Sequence, residues 1–211
     1  RESLFQNVCS IVLIVKEHSR DYLKSLFKLI FDFWDYSHLL VHILTLLQEI
    51  SLVLVKEFRS QLPMLVPLLL RHLQPTPGQI GTSESEEENT LKILGAIQTF
   101  SIKGKLDGFL QRILPALVVL SENSTTSLSV REDAMRTIAT IARTHDIRDN
   151  ASRLIHSSAR ILSQSLHTLH LGCLEVLYIT IKQIGFGYIV FEPMVNAVLS
   201  NGPVNAEQLQ D

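Results

Sequence analysis

The sequence predicts an all-α fold, an α-solenoid of about five antiparallel helix pairs, and three observations carry that prediction. Apolar residues recur at helical spacing along almost the whole chain, glycine and proline fall mostly between the apolar runs, and a common unit returns about every 40 residues.

The unit is clearest in Phe58–Leu73. Phe58 leads to Leu62 and Pro63, and an almost wholly apolar run follows through Leu65, Val66, Pro67 and Leu70. Proline has no N–H and is tolerated in the first helical turn, so Pro63 is expected to start a buried helix, with Pro67 bending it or shifting that start. Phe109 leads in the same way to Leu114, Pro115 and Leu117, and Tyr188 leads to Pro193, Met194 and Val195. Tyr22 with Leu26 and Phe27, and Arg153 through His156 to Leu162, are copies without proline. With Phe27, Pro63, Pro115, His156 and Pro193 as markers, the successive steps are 36, 52, 41 and 37 residues. Such a period, with two helices in each unit, is that of HEAT or armadillo repeats. Pro63, Pro67, Pro115 and Pro193 are thus read as structural residues that frame the repeats.

Taken in order, Leu4, Phe5, Val8, Ile11, Val12 and Val15 place a first helix over residues 2–16, and Ser19 is expected to cap a partner carrying Leu23, Phe27, Ile30 and Trp34. These form a repeat over residues 1–36. Ser37 is the expected N-cap of a helix with Leu39, Leu40, Ile43, Leu46, Leu47 and Ile50, paired with Phe58–Leu73 in a repeat over 37–73. Residues 74–88 hold two prolines, two glycines and Glu84, Glu86, Glu87 and Glu88. They are expected to form a flexible acidic loop that accounts for the long step, its last carboxylates serving the first turn of the next helix and Ser85 with Glu88 spaced as a capping box. A repeat over 89–121 follows, with Gly104 and Gly108 at its turn. Ser129 and Glu132 give a second expected capping box at the start of a repeat over 129–166, whose Ala134, Ala139 and Ala142 predict close helix approach. A last repeat over 169–200 turns at Gly185 and Gly187, and residues 202–211 are expected to be a frayed tail.

The 211 residues are 46% hydrophobic, enough for a substantial core, and the formal net charge is -2. That balance supplies no basic surplus for nucleic acid or an anionic membrane. The apolar window from Leu39 to Val55 contains His42, Gln48 and Glu49, which a bilayer core would penalise, so no direct membrane insertion is expected. Cys9 and Cys173 lie far apart in apolar helical stretches, as reduced thiols of the cytosol or nucleus do. The chain starts at Arg1 without methionine, basic leader or apolar signal segment, as expected of a piece of a longer polypeptide.

Chemistry-bearing patterns are few. His38 and His42 are four residues apart, but the string between them lacks the glutamate of a zinc protease helix and no third ligand is apparent, so no metal is assigned. His145, His167 and His170 are read as surface or capping residues at turns. There is no glycine-rich phosphate loop, nucleophile elbow or kinase signature, and no catalytic or cofactor-binding residue is assigned. Ser83 and Ser85 each precede a glutamate by three residues, which makes them candidate phosphorylation sites for acidophilic kinases.

Several strings resemble one family. Arg1 to Gln6, Asp32-Phe33-Trp34, Leu62 to Pro67, Lys92 to Gln98, Asn150 to His156 and Phe191 to Leu199 are similar, in this order, to the N-terminal HEAT-repeat region of the target of rapamycin (TOR) serine/threonine-protein kinases. The resemblance is collinear from Arg1 to about Asn201. It implies a scaffold segment that supports dimerisation and the docking of raptor-like and other complex subunits in nutrient and growth signalling. ATP and magnesium are implied as cofactors of the full-length kinase and none in this segment, since the rapamycin-binding and kinase domains lie far C-terminal to it. A cytoplasmic location is implied, with lysosomal or other endomembrane surfaces reached through the complex and a nuclear pool. The rival from another class is a free-standing HEAT-repeat adaptor, of transport or phosphatase-scaffold type, that binds peptides or protein partners.

Overall fold

Phe5 and Val12, seven residues apart, form the inward stripe of α1 (Glu2–Val15) in the computed structural model, which describes residues 2–74, 84–103, 106–164 and 167–201. Every regular element among the described residues is helical. Lys16 has φ 50°, a left-handed backbone unusual for a residue with a Cβ, and there the chain passes into a 3-10 segment, Lys16–Tyr22. α2 (Leu23–Asp32) buries Leu23, Phe27 and Ile30. Ser19 does not cap it: the Ser19 hydroxyl donates back to the Lys16 carbonyl at 2.6 Å, and α2 begins without a side-chain cap. α3 (Ser37–Val53) likewise starts without one, with Tyr36 at the N-cap position and Ser37 already inside the helix.

α4 (Val55–Leu73) departs most from expectation. It begins well before Pro63, so Pro63 lies in its interior rather than at its start, with Pro67 about a turn further in. An interior proline costs about 3 kcal/mol. Against that, α4 buries Phe58, Leu62, Leu65, Val66, Leu69, Leu70 and Leu73, each contributing roughly 1.5–3 kcal/mol, so burial outweighs two missing backbone bonds. Pro115 is interior to α6 (Leu110–Glu122) for the same reason, whereas Pro193 sits in the first turn of α10 (Glu192–Asn201) as expected.

α5 (Glu84–Lys103) begins inside the predicted acidic loop 74–88, so residues 84–88 are helical. Ser85 is within the helix and is not its cap. Ser83 and the other residues of 75–83 lie outside the described residues. Packing divides the chain into two compact units, Arg1–Leu106 and Asp107–Asp211. In the first, α3 lies between α1 and α5 and also packs on α4. Phe58 of α4 meets Phe100 of α5 with ring centroids 4.7 Å apart, a contact worth about 0.5–1.5 kcal/mol beyond its buried area.

The second unit contains α6 (Leu110–Glu122), α7 (Leu128–Thr144), α8 (Ala151–Leu162), α9 (His170–Ile184) and α10 (Glu192–Asn201). α7 and α9 form one layer, and α6, α8 and α10 the other. The most extensive packing is of α6 on α7 and α8 on α9, and Ala134, Ala139 and Ala142 of α7 are buried. The cap of α7 is Ser127, whose hydroxyl accepts from the Val130 N–H at 3.4 Å. The predicted Ser129–Glu132 capping box is therefore absent, and Glu132 stands a turn inside the helix. Gly185 turns the chain out of α9 with φ 55°, a conformation that favours glycine.

Candidate interaction surface

No constellation of titratable side chains distinguishes the described residues: none form a group of three or more His, Cys, Asp or Glu fit to hold a metal ion. His38 is exposed and edge-on to the Tyr36 ring, with His42 half-buried on the same helix.

His145 and His170, read as surface or capping residues, are both buried, 8% and 5% exposed, and His145 is the C-cap residue of α7. His145 ends α7 and shares a 2.8 Å hydrogen bond with the Thr144 hydroxyl, while Nε2 of His170 lies 3.1 Å from the Gln164 carbonyl. Cys173 is fully buried, and burial pushes its thiol up to about 12, so it is a packing residue and not a nucleophile. Ser85 is exposed in the first turn of α5.

The polar groups with structural consequence tie helices together. Gln183, near the end of α9, donates from Nε2 to the Ala142 carbonyl at 2.6 Å and to the His145 carbonyl at 3.0 Å. Its Oε1 accepts from the Ile147 N–H at 2.9 Å. One amide thus pairs backbone groups at the end of α7 and in the turn beyond it. Arg131, 3% exposed, donates from Nε to the Ser121 carbonyl at 2.8 Å and so serves the end of α6. Ion pairs link neighbouring helices at the rim: Glu122 with Arg160 at 2.7 Å, and Arg143 with Glu175. In the first unit Arg20 pairs with Glu57 at 2.6 Å, and Asp35 with Arg71. All involve partly exposed side chains and contribute at most about 1 kcal/mol each, so they fix register more than stability.

Several large apolar side chains are exposed among the described residues. On α1, Leu4, Ile11 and Ile14 face outward. In the second unit Leu171 and Tyr178 recur seven residues apart on α9, and Phe186, 94% exposed, stands between Gly185 and Gly187 with Ile189 and Val190 beyond it. Residues His170–Val190 are long and apolar enough to cross a membrane by length and composition. Within the fold, however, Cys173, Val176, Leu177 and Thr180 are packed inside the unit, and Glu175 is paired with α7. Large exposed apolar side chains grouped on one helix are characteristic of protein contact surfaces. Sequence periodicity identified the inward stripes but not these residues, because an outward leucine and an inward one look alike until the helix is rotated into place. The glycine-flanked Phe186 was the one local signal available.

Alongside Leu171 runs a groove of about 330 Å³ between α7 and α9. Met135 and Leu169, both buried, lie among its walls with Glu132, Arg136 and Glu175. A second, more open and polar hollow lies beside Gln183 at the turn after α7, lined by Arg143, Asp146 and Arg148.

No protein-family model matches the chain. It is 30% identical over 200 residues to the serine/threonine-protein kinase tor1 of Schizosaccharomyces pombe, a match that covers 94% of this chain and 8% of that protein. It is 33% identical over 201 residues to the serine/threonine-protein kinase mTor of Drosophila melanogaster, covering 95% of this chain and 8% of the relative. With TOR2 of Saccharomyces cerevisiae it shares 25% identity over 199 residues, 92% of this chain and again 8% of the relative. The chain thus spans a small part of the length of the kinases it matches. Over nearly its whole length, this all-α chain is homologous to one segment of the TOR serine/threonine-protein kinases.

Proposed function

We propose that the chain is a HEAT-type scaffold segment of a TOR-family protein kinase, supporting dimerisation and the docking of raptor-like and other accessory subunits in growth signalling. The observation that carries this reading is the match to TOR kinases along more than nine-tenths of the chain, in a fold made of helix packing with apolar side chains left at its surface. Helical repeats of this kind act by presenting an extended surface on which partners bury their own side chains. Phosphoryl transfer, with ATP and magnesium, then belongs to another part of the polypeptide. The site of action is the cytoplasm, with endomembrane surfaces and a nuclear pool reached through the complex.

The test begins with the transcript on both sides of the segment, followed by co-purification of its full-length product with a differently tagged second copy and with a raptor-like subunit. A reading frame that continues into further helical repeats and a kinase region, and a product that retains both partners, is the expected result. A frame that closes just outside Arg1 and Asp211, or a full-length product that retains neither partner, overturns the reading.

A further inference from the structure

We infer that the groove between α7 and α9 is a docking site for a protein segment that presents an aliphatic side chain together with a nearby lysine or arginine. Gly172, in the groove's lining, lets α9 come close to α7: a Cβ at that position would stand 3.2 Å from the Met135 Cβ. The groove's volume of about 330 Å³ is at the small end of ligand-sized clefts and suits one or two side chains rather than a cofactor.

Apolar walls come from Met135 and Leu169, 2% and 1% exposed, and from Leu171, which is 78% exposed and gives an incoming aliphatic group a surface to cover. The charges at the rim decide what accompanies that group. Arg136 is held by Asp133 at 2.6 Å, and Glu175 by Arg143. Glu132 has no hydrogen-bond or ion-pair partner among the described residues; because Ser127 rather than Ser129 caps α7, its carboxylate is not drawn into a capping box. The uncommitted charge at the groove is therefore negative, and a cation is its complement. The inference goes beyond the scaffold reading and does not rest on it, since groove binding needs neither a kinase nor a second subunit.

The experiment uses the 211-residue chain and fluorescent 15-residue peptides. Each carries one leucine and one arginine at separations of one to seven residues in an alanine–glutamine background, and a matched set carries glutamate for arginine. Anisotropy should find at least one arginine peptide that binds about two- to fivefold tighter than its glutamate twin, as one partly exposed ion pair allows, with the preference shrinking as salt is raised. Glu132→Lys should reverse the preference, Glu132→Gln should abolish it, and Leu171→Ser should weaken both sets, each variant first checked for wild-type helicity. Because Glu132→Gln changes only the charge, it reads the site even if Glu132→Lys disturbs the helix. Equal binding of the arginine and glutamate sets, no binding below about 1 mM, or a preference unmoved by Glu132→Gln overturns the inference.

Discussion

Gln183→Leu nearly preserves side-chain volume while removing the amide that joins the end of α9 to the turn after α7. Three bonds are lost: Ile147 N–H to Oε1 at 2.9 Å, and Nε2 to the Ala142 and His145 carbonyls at 2.6 and 3.0 Å. Ile147 and Ala142 have no exposed surface, so water does not readily replace the missing partner. A net hydrogen bond is worth about 1 kcal/mol, and a buried donor left unpaired costs about 1–3 kcal/mol. Leucine's own burial offsets part of this, which leaves an expected destabilisation of about 2–4 kcal/mol. With a urea dependence of about 1–3 kcal/mol per molar, the midpoint should fall by roughly 1–2 M. Urea titrations followed by circular dichroism give the midpoint, and hydrogen exchange at the Ile147 amide reports the local loss. Gln183→Glu should do no better than leucine: it keeps an acceptor for Ile147 but sets a carboxylate against two carbonyls. A leucine variant within about 0.5 kcal/mol of wild type, the range of a neutral surface change, with Ile147 still protected, would refute the reasoning.

Two glycines should respond oppositely: Gly95→Ala, whose new Cβ meets nothing within 4 Å, should stabilise α5 by about 0.5–1 kcal/mol, whereas Gly172→Val, forced against Met135, should cost about 1–3 kcal/mol in the same urea titration. Burial, then the adjacent Arg71 cation, holds the His72 imidazole below its ordinary 6.5 against a weaker upward pull from Asp35. The unfolded chain therefore takes up this proton first as pH falls. The stability contributed by neutral His72 is complete above the unfolded value and is lost as pH drops from there toward the folded one. Trp34, the single tryptophan, lies 6.1 Å from His72, so its fluorescence-detected urea midpoint should fall between pH 7.5 and 5.5, and His72→Leu should flatten that fall. Thiol titration with an aromatic disulfide at pH 8 should label half-buried Cys9 and leave Cys173 unlabelled until denaturant is added; equal native rates for the two would contradict the packing of α9.

Much of the fold was legible because helical periodicity is a local property. The stripe of Leu39, Leu40, Ile43, Leu46, Leu47 and Ile50 marks α3 whatever surrounds it, and all six are buried. Gly185 marked the end of α9 because its left-handed backbone is a conformation that glycine adopts without strain. The TOR resemblance was legible for a related reason: strings such as Leu62 to Pro67 are particular in order as well as in composition. By itself, then, the sequence determined the helical class, the inward stripes, most turns and the kinship.

The tertiary structure decided the rest. Pro63 and Pro115 looked like helix starts and are helix interiors, because the apolar surface their helices bury outweighs the backbone bonds lost. Ser19, Ser37, Ser85 and Ser129 had the chemistry of caps, yet a cap also needs its hydroxyl to meet a free N–H, and at the start of α7 packing placed Ser127, not Ser129, to do so. The groove by Glu132 and the span of Gln183 across to α7 join residues more than 30 positions apart. No local spacing encodes such pairs, since which faces meet is fixed only when two helices bury their stripes against each other.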